Sequence, residues 1–235
     1  MSVAVVSLAA ISASCDNTTE PTSEDGTYTF DFASGPQSWE AGFADYPQGQ
    51  QAFFELTSSF SPLPAPLGPG RSAWFLSGNN LSDDLFMYIA RRVTGLTPRR
   101  QYRATFAVEI ATDVPAGCGG VGGSPGESVF LKAGASTSEP TPTVDELGHV
   151  RLTIDKGNQA VGGANAVVLG TIENTIPCSA GRREWQLKSF SSAANVLTVS
   201  ADATGAVWLI AGTDSGFEAT TSIFFTRFSV AFERQ

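Results

Sequence analysis

The sequence is short of cations and of soft metal ligands. It holds three lysines, one histidine and three cysteines, and no lysine or arginine precedes Arg71. One histidine and so few cysteines cannot assemble a zinc or copper site, which draws on several imidazoles or thiolates. The lone imidazole also argues against a nucleophile and base pair: His149 stands just before an alternating strand, in Leu147-Gly-His-Val-Arg, and reads as a turn residue. With a formal charge of −9 and a pI near 4.6, a phosphate backbone is repelled wherever basic residues are not concentrated, which argues against nucleic acid as a partner. Arg91-Arg92 and Arg99-Arg100 with Arg103 form the one dense basic run. It reads as a solvated strand-turn-strand face, with a patch for an acidic partner as the alternative.

No apolar run approaches the roughly 20 residues that cross a bilayer. Val3 to Ser14 has the length of a signal-peptide core, so residues 1–14 read as a removable export signal. The next residue, Cys15, follows Ser12-Ala13-Ser14 and opens an acidic Ser/Thr/Pro-rich stretch to Gly26, the arrangement of a bacterial lipoprotein with a lipid on Cys15 and a flexible tether over 15–26. Ser12 stands where an aliphatic residue is usual and a basic leader is missing, so ordinary secretion remains the alternative. A lipidated Cys15 would leave Cys118 and Cys178 to form a disulfide. The expected location is the bacterial cell envelope, with membrane contact through the anchor alone.

What the chain has in quantity is glycine (24), proline (13) and phenylalanine (16). Residues 27–235 are enough for one β-domain with a large core. Period-two alternation marks the strands. Tyr28, Phe30 and Phe32 form one inward row, and Tyr102, Ala104, Phe106, Val108 and Ile110 form the clearest. Val129 and Leu131; Val150, Leu152 and Ile154; Leu197 and Val199; and Phe224, Phe228, Val230 and Phe232 continue the pattern. Ala73–Leu76 and Leu85–Ala90 are apolar on both faces and read as central strands. Loops rich in proline or glycine separate these runs, which predicts an all-β, two-sheet antiparallel sandwich of jelly-roll topology.

Three segments sharpen that expectation. Tyr28-Thr-Phe-Asp-Phe-Ala-Ser-Gly-Pro-Gln-Ser-Trp39, Val93-Thr-Gly-Leu-Thr-Pro-Arg-Arg-Gln-Tyr102 and Ala201-Asp-Ala-Thr-Gly-Ala-Val-Trp-Leu-Ile210 occur in the order seen in carbohydrate-binding-module-like, galactose-binding-like jelly rolls, which the chain resembles over about residues 27–233. The resemblance implies a sandwich that binds glycan. Where those modules end on an acidic pair, Phe225-Thr226-Arg227 stands here, so the usual terminal calcium ligand is not matched.

Candidate sites follow from chemistry. Gly117–Gly122 satisfies a dinucleotide glycine pattern and Gly122–Gly126 a nucleophile-elbow pattern, but neither opens a helix, so both are declined. Sugar binding needs aromatic faces bordered by groups that read hydroxyls. Trp39, Phe43 and Tyr46 with Glu40 and Asp45 form one candidate rim, and Trp185 beside Arg182, Arg183 and Glu184 a second. Trp74 and Trp208, inside apolar strands, read as core. Calcium takes hard oxygen ligands from loops, and two loops offer them: Asn79, Asn80, Asp83 and Asp84, and Asp214 with Glu218. A hydrolase or lyase would need two converging carboxylates. Glu109, Glu127, Asp155, Asp214 and Glu218 lie at plausible positions without one pair standing out. The reading is a non-catalytic, envelope-anchored or secreted glycan-binding protein, with a structural calcium as an option. A carbohydrate-active enzyme and a structural or adhesion protein are the alternatives.

Overall fold

The computed structural model describes residues 26–68, 70–192 and 196–235. The expected signal segment, Cys15 and the tether up to residue 25 lie outside them. No helix among the described residues is long and apolar enough to cross a membrane.

Two antiparallel sheets face each other. The larger has the order β12 (Gln186–Ser191), β7 (Gln101–Thr112), β15 (Thr220–Arg234), β5 (Ser72–Asn79) and β4 (Thr57–Pro62). To this sheet β1 (Thr27–Asp31) adds along β15, and β13 (Leu197–Ser200) adds along β7. The smaller runs β11 (Ala166–Thr171), β8 (Val129–Ser136), β14 (Val207–Ser215), β6 (Leu85–Val93) and β2 (Glu40–Ala44). A three-stranded flap, β3 (Tyr46–Pro47), β10 (His149–Leu152) and β9 (Pro142–Val144), forms a third sheet. The chain passes directly from one large sheet to the other seven times, between β1 and β2, β5 and β6, β6 and β7, β7 and β8, β11 and β12, β13 and β14, and β14 and β15, which makes the sandwich a jelly roll.

The alternating rows supply the core between the sheets. Tyr102, Ala104, Phe106, Val108 and Ile110 are all buried and share one cluster with Val129, Leu131, Leu197, Val199, Val207 and Leu209. Phe32 is inward as expected, although β1 ends at Asp31, whose carboxylate accepts from the Ala33 N–H (3.0 Å) and starts a short 3-10 turn. The period of two fails in β15. Ile223, Phe225, Phe228, Val230 and Phe232 face the core, while Phe224 packs on the opposite side against Ala73, Ala111 and Leu63. The register slips between Phe225 and Arg227, a β-bulge that inserts one residue and reverses which parity points inward. Phe224 and Phe228, read as one row, are therefore on opposite faces.

β6 is central, between β14 and β2, and buried on both faces as its composition predicts. Leu85, Met87 and Ile89 enter the main core, and Phe86, Tyr88 and Ala90 join Ile154 and Ile210 in a second cluster on the outer face of the smaller sheet, with Leu152 packed against it. So Ile154 and Leu152 belong to this outer cluster, and only Val150 of their predicted row reaches the main core.

The Cys118–Cys178 disulfide is present, spanning a sequence separation of 60 residues. It fastens the glycine-rich loop to a short 3-10 turn over Cys178–Ala180 beside the Ala116–Pro177 bridge. A loop of that length gives a chain-entropy stabilisation of about 4 kcal/mol.

Candidate functional site

The outer face of the five-stranded sheet brings together stacked aromatics, paired charges and a partly exposed tryptophan. Residues paired across β14 and β6 share a face, so Trp208 lies beside Arg92, Ile210 beside Ala90, Gly212 beside Tyr88 and Asp214 beside Phe86. Gly212 is small for a reason, since a Cβ there would stand 2.6 Å from the Phe86 ring and 2.7 Å from the Met87 carbonyl oxygen. Gly42 on β2 likewise leaves room for Tyr88, whose hydroxyl and ring would lie 2.4 Å from an added Cβ. These two glycines let Phe86 and Tyr88 lie along the sheet, stacked with centroids 5.6 Å apart at 17°. The Tyr88 hydroxyl points to the Pro140 carbonyl oxygen at 3.4 Å. Burial, then the charges of Tyr46 and Glu139, push its phenol well above the usual range.

Next to Tyr88 the sheet and the segment before β9 enclose a cleft of about 190 Å³. Glu40, Gly42, Ala90, Trp208, Glu139 and Thr141 contribute to its lining. Trp208 is half-buried, and Glu40 and Glu139 are exposed. An aromatic face bordered by two carboxylates can stack on the C–H side of a sugar ring and accept from its hydroxyls.

Further along the same face, six charged groups meet. Asp214, fully buried, accepts at Oδ2 from Lys132 Nζ (2.8 Å), Lys156 Nζ (2.8 Å) and the Gln159 N–H (3.0 Å). Lys132 uses its other protons on the carbonyl oxygens of Lys156 and Val161, each at 3.0 Å. Lys156 also pairs with Asp45 Oδ2 at 2.8 Å and sits 4.8 Å from the centre of the Phe86 ring. Arg151, from the flap, bridges Asp45 (2.7 Å) and Asp84 (2.8 Å). Burial pushes the Lys132 ammonium toward deprotonation, against the pull of Asp214. For Lys156 burial acts in the same sense, but Asp214 and Asp45 together outweigh it and raise its pKa. Asp84 is raised by burial and then by the neighbouring Asp45 charge. A cleft of about 340 Å³, bordered by Asp45, Asp84, Arg151 and Lys156, opens beside the cluster.

Asp45, Asp84 and Asp214 bring carboxylate oxygens within 4.8 Å of one another, a grouping that could hold a metal ion. Three cations already neutralise those three carboxylates. A divalent ion placed among them would face two ammonium groups and a guanidinium, so the donor set fits lysine better than calcium. Each of the two predicted calcium loops contributes only one residue here. Asp84 and Asp214 converge, joined by Asp45, which was expected to read sugar. Asn80 spends its amide on the Ser215 and Phe217 carbonyl oxygens, at 2.8 and 3.0 Å, and its carbonyl on the Ser82 N–H. Asn79 ends β5, Asp83 is exposed at φ 58°, and Glu218 is exposed with its N–H on the Val121 carbonyl oxygen. None of these four joins the triad.

The aromatic residues expected at a sugar rim are elsewhere. Trp39 is 3% exposed, wedged edge-on against Phe30 and Phe32 and tilted on Phe228 in the core. Tyr46 is buried against Phe54, and Phe43 packs on the core from β2. An aromatic loop beside glycine and proline looks open in sequence, yet its rings plug the end of the sandwich. Trp185 lies edge-on to Phe224, centroids 5.2 Å apart, on the outer face of the larger sheet, while Arg183 pairs with Asp113 and Arg182 with Glu184. Trp74 packs on the core as expected, with its indole N–H on the Pro36 carbonyl oxygen (3.3 Å). Trp208 does not: Val207 and Leu209 take the inward positions, so the ring between them points outward. The signal was available in the alternate phase of β14, where Trp208, Ile210, Gly212 and Asp214 are too mixed for a core row. Lys132, in a strand, and Lys156, in the segment after β10, carried no comparable signal, because a lysine normally marks solvent.

The other carboxylates considered for hydrolysis are engaged structurally. Glu109 accepts from the Thr226 hydroxyl at 2.8 Å, and Glu127 from the Gly117 N–H at 2.6 Å and from Ser124. Asp155 accepts from the N–H groups of Gly157 and Ala164, which hold its carboxyl below the usual range.

No family model and no curated protein matches the chain. Among solved structures it is similar to a carbohydrate-binding module described in complex with beta-1,4-galactotriose, at 12% identity over 87% of this chain and 94% of that one, TM-score 0.36. It is also similar to a module described for specific mannan recognition, at 11% identity over 88% and 96%, TM-score 0.36. A third is the K3 cleaved adhesin domain of Lys-gingipain from Porphyromonas gingivalis, at 12% identity over 88% and 99%, TM-score 0.38.

Proposed function

We propose that the protein is an exported, envelope-anchored glycan-binding protein, lipidated at Cys15, that takes a neutral sugar unit in the Trp208 cleft. The observation that carries this reading is the partly exposed Trp208 ring beside Glu40 and Glu139 in a cleft roofed by the segment before β9. Two exposed carboxylates accept from hydroxyls and repel uronic acids. In a polysaccharide panel read by affinity electrophoresis, neutral glycans are expected to retard the protein and polyuronates not to. Trp208→Ala should weaken that retardation at least about tenfold, since stacking supplies most of the contact. Retardation unchanged in Trp208→Ala, or absent for every glycan, overturns the reading. Intact mass of the protein from membranes tests the anchor, a diacylglyceryl adduct at Cys15 being the expected result.

The two carboxylates of the cleft also support a second reading, hydrolysis of a glycosidic bond. It predicts reducing-end release that disappears in Glu40→Gln or Glu139→Gln. Calcium is the alternative occupant of the Asp45, Asp84 and Asp214 group. With Lys156 in that place, chelation should leave the melting temperature unchanged, and a clear fall would show that an ion displaces the ammonium.

A further inference from the structure

The arginine run singled out in the sequence is used by neither the cleft nor the six-charge cluster. Its residues lie at one pole of the sandwich. There the Gly26 carbonyl oxygen accepts from the Phe232 N–H (2.9 Å), and the Gln235 N–H reaches the Gln101 carbonyl oxygen (3.2 Å). Two turns close the same pole, tied by Leu96 N–H to the Gly205 carbonyl oxygen and by Arg99 N–H to the Asp202 carbonyl oxygen, both at 3.0 Å. Arg99 is held at φ 59°, and the Thr97 N–H donates to the hydroxyl of Tyr102, which is fully buried. The arginines are thus mounted on turns locked to the core.

Arg92, Arg99, Arg100, Arg103 and Arg234 are all exposed on these turns and strand ends. The carboxylates on the same segments are Asp202 and Glu233. Asp202 is committed to the N–H groups of Thr204 (2.7 Å) and Ala206 (2.9 Å) and to Arg92 (2.9 Å). No ion pair engages Arg99, Arg100 or Arg103 among the described residues. A chain of net charge −9 therefore carries a locally positive pole. At physiological salt, screening over about 8 Å lets a surface in contact with the pole feel the arginines more than the distant acids.

We infer that this pole is a docking face for the phosphate groups of an anionic lipid surface. Guanidinium groups suit phosphate oxygens through paired N–H donors. The position of Gly26 adds a geometric reason. From Cys15 to Gly26 the chain spans at most about 40 Å, so a lipid on Cys15 would tether the domain to the bilayer from the arginine pole. The envelope location comes from the function proposed above, whereas the surface chemistry does not depend on it.

The test uses vesicles without sugar and a lipid-free protein from residue 15 onward carrying Cys15→Ser, which keeps every described strand. Cosedimentation is expected with vesicles containing phosphatidylglycerol and not with pure phosphatidylcholine, falling as salt rises from about 0.05 to about 0.5 M. Arg99→Glu/Arg100→Glu/Arg103→Glu should weaken it at least tenfold with an unchanged melting temperature. Arg182→Glu/Arg183→Glu, at the opposite pole, should leave it within twofold. Equal binding to neutral vesicles, equal loss in the two variants, or no binding at all overturns the inference. The last is the result expected if the acidic residues Asp16, Glu20, Glu24 and Asp25 cover the pole instead. A missing lipid on Cys15 or a failure to bind glycan would defeat the function proposed above and leave the vesicle result standing.

Discussion

The two faces of the five-stranded sheet are built on different physics. The inner face, with Leu85, Met87, Ile89, Leu131, Val207 and Leu209, is mostly hydrocarbon, Thr213 being a buried exception, and closes against the other sheet. The outer face mixes stacked aromatics, two glycines set by close approach, a partly exposed tryptophan and six paired charges. An apolar face tolerates exchange of one hydrocarbon for another at modest cost. A buried charge network does not, because removing one member strands its partners. The inner face therefore makes the sandwich, and the outer face fixes which segments cover it and what surface remains open.

Four measurements can break or sharpen that contrast. Phe228→Ala, in the shared core beneath Trp39 and Phe106, should have the largest effect, a loss of about 3–5 kcal/mol in denaturant unfolding that is flat with pH. Asp214→Asn should lose about 3 kcal/mol, since two ammonium groups give up their common partner; unlike the first, this loss should depend on pH. If the two variants behave alike across pH, the outer network is mere packing. The pH limb itself is the third. Lys156 has a raised folded pKa, so its contribution is fully present below the ordinary lysine value of about 10.4 and is lost as pH rises through the folded value. Tyr88, also raised, adds to that alkaline loss, and Lys132, lowered, opposes it. Lys156→Met should therefore flatten the alkaline limb of stability, and a limb left as steep as wild type would contradict the assignment. The smallest effect on stability, about 1 kcal/mol, belongs to Trp208→Ala, because the ring is partly exposed and lies outside the buried clusters. A melting temperature several degrees lower would mean that Trp208 is structural.

Period two made the inner face legible. The row from Tyr102 to Ile110, the doubly apolar β6 and the jelly-roll class follow directly from it. What was not legible depends on contacts between distant segments. The bulge after Phe225 shifts parity without any residue that announces it. Trp39 and Trp208 exchange their expected places because local surroundings, a polar loop and an apolar strand, do not say which side the other sheet will lie on. The six-charge cluster joins Asp45, Asp84, Lys132, Arg151 with Lys156, and Asp214 from five separate stretches, each ordinary alone. The acidic loops did register as candidate cation ligands, and two of their carboxylates do bind cations, supplied by the chain itself.

The pairing of β1 with β15 has a mechanical consequence. The strands are antiparallel, and Gly26 and Gln235 emerge at one pole. Tension between the two ends would load their hydrogen bonds one at a time, opening the ladder like a zipper instead of shearing it as a block. The Cys118–Cys178 bond lies outside that line of force, so a pulled molecule would shed its edge first and keep the stapled loop longest.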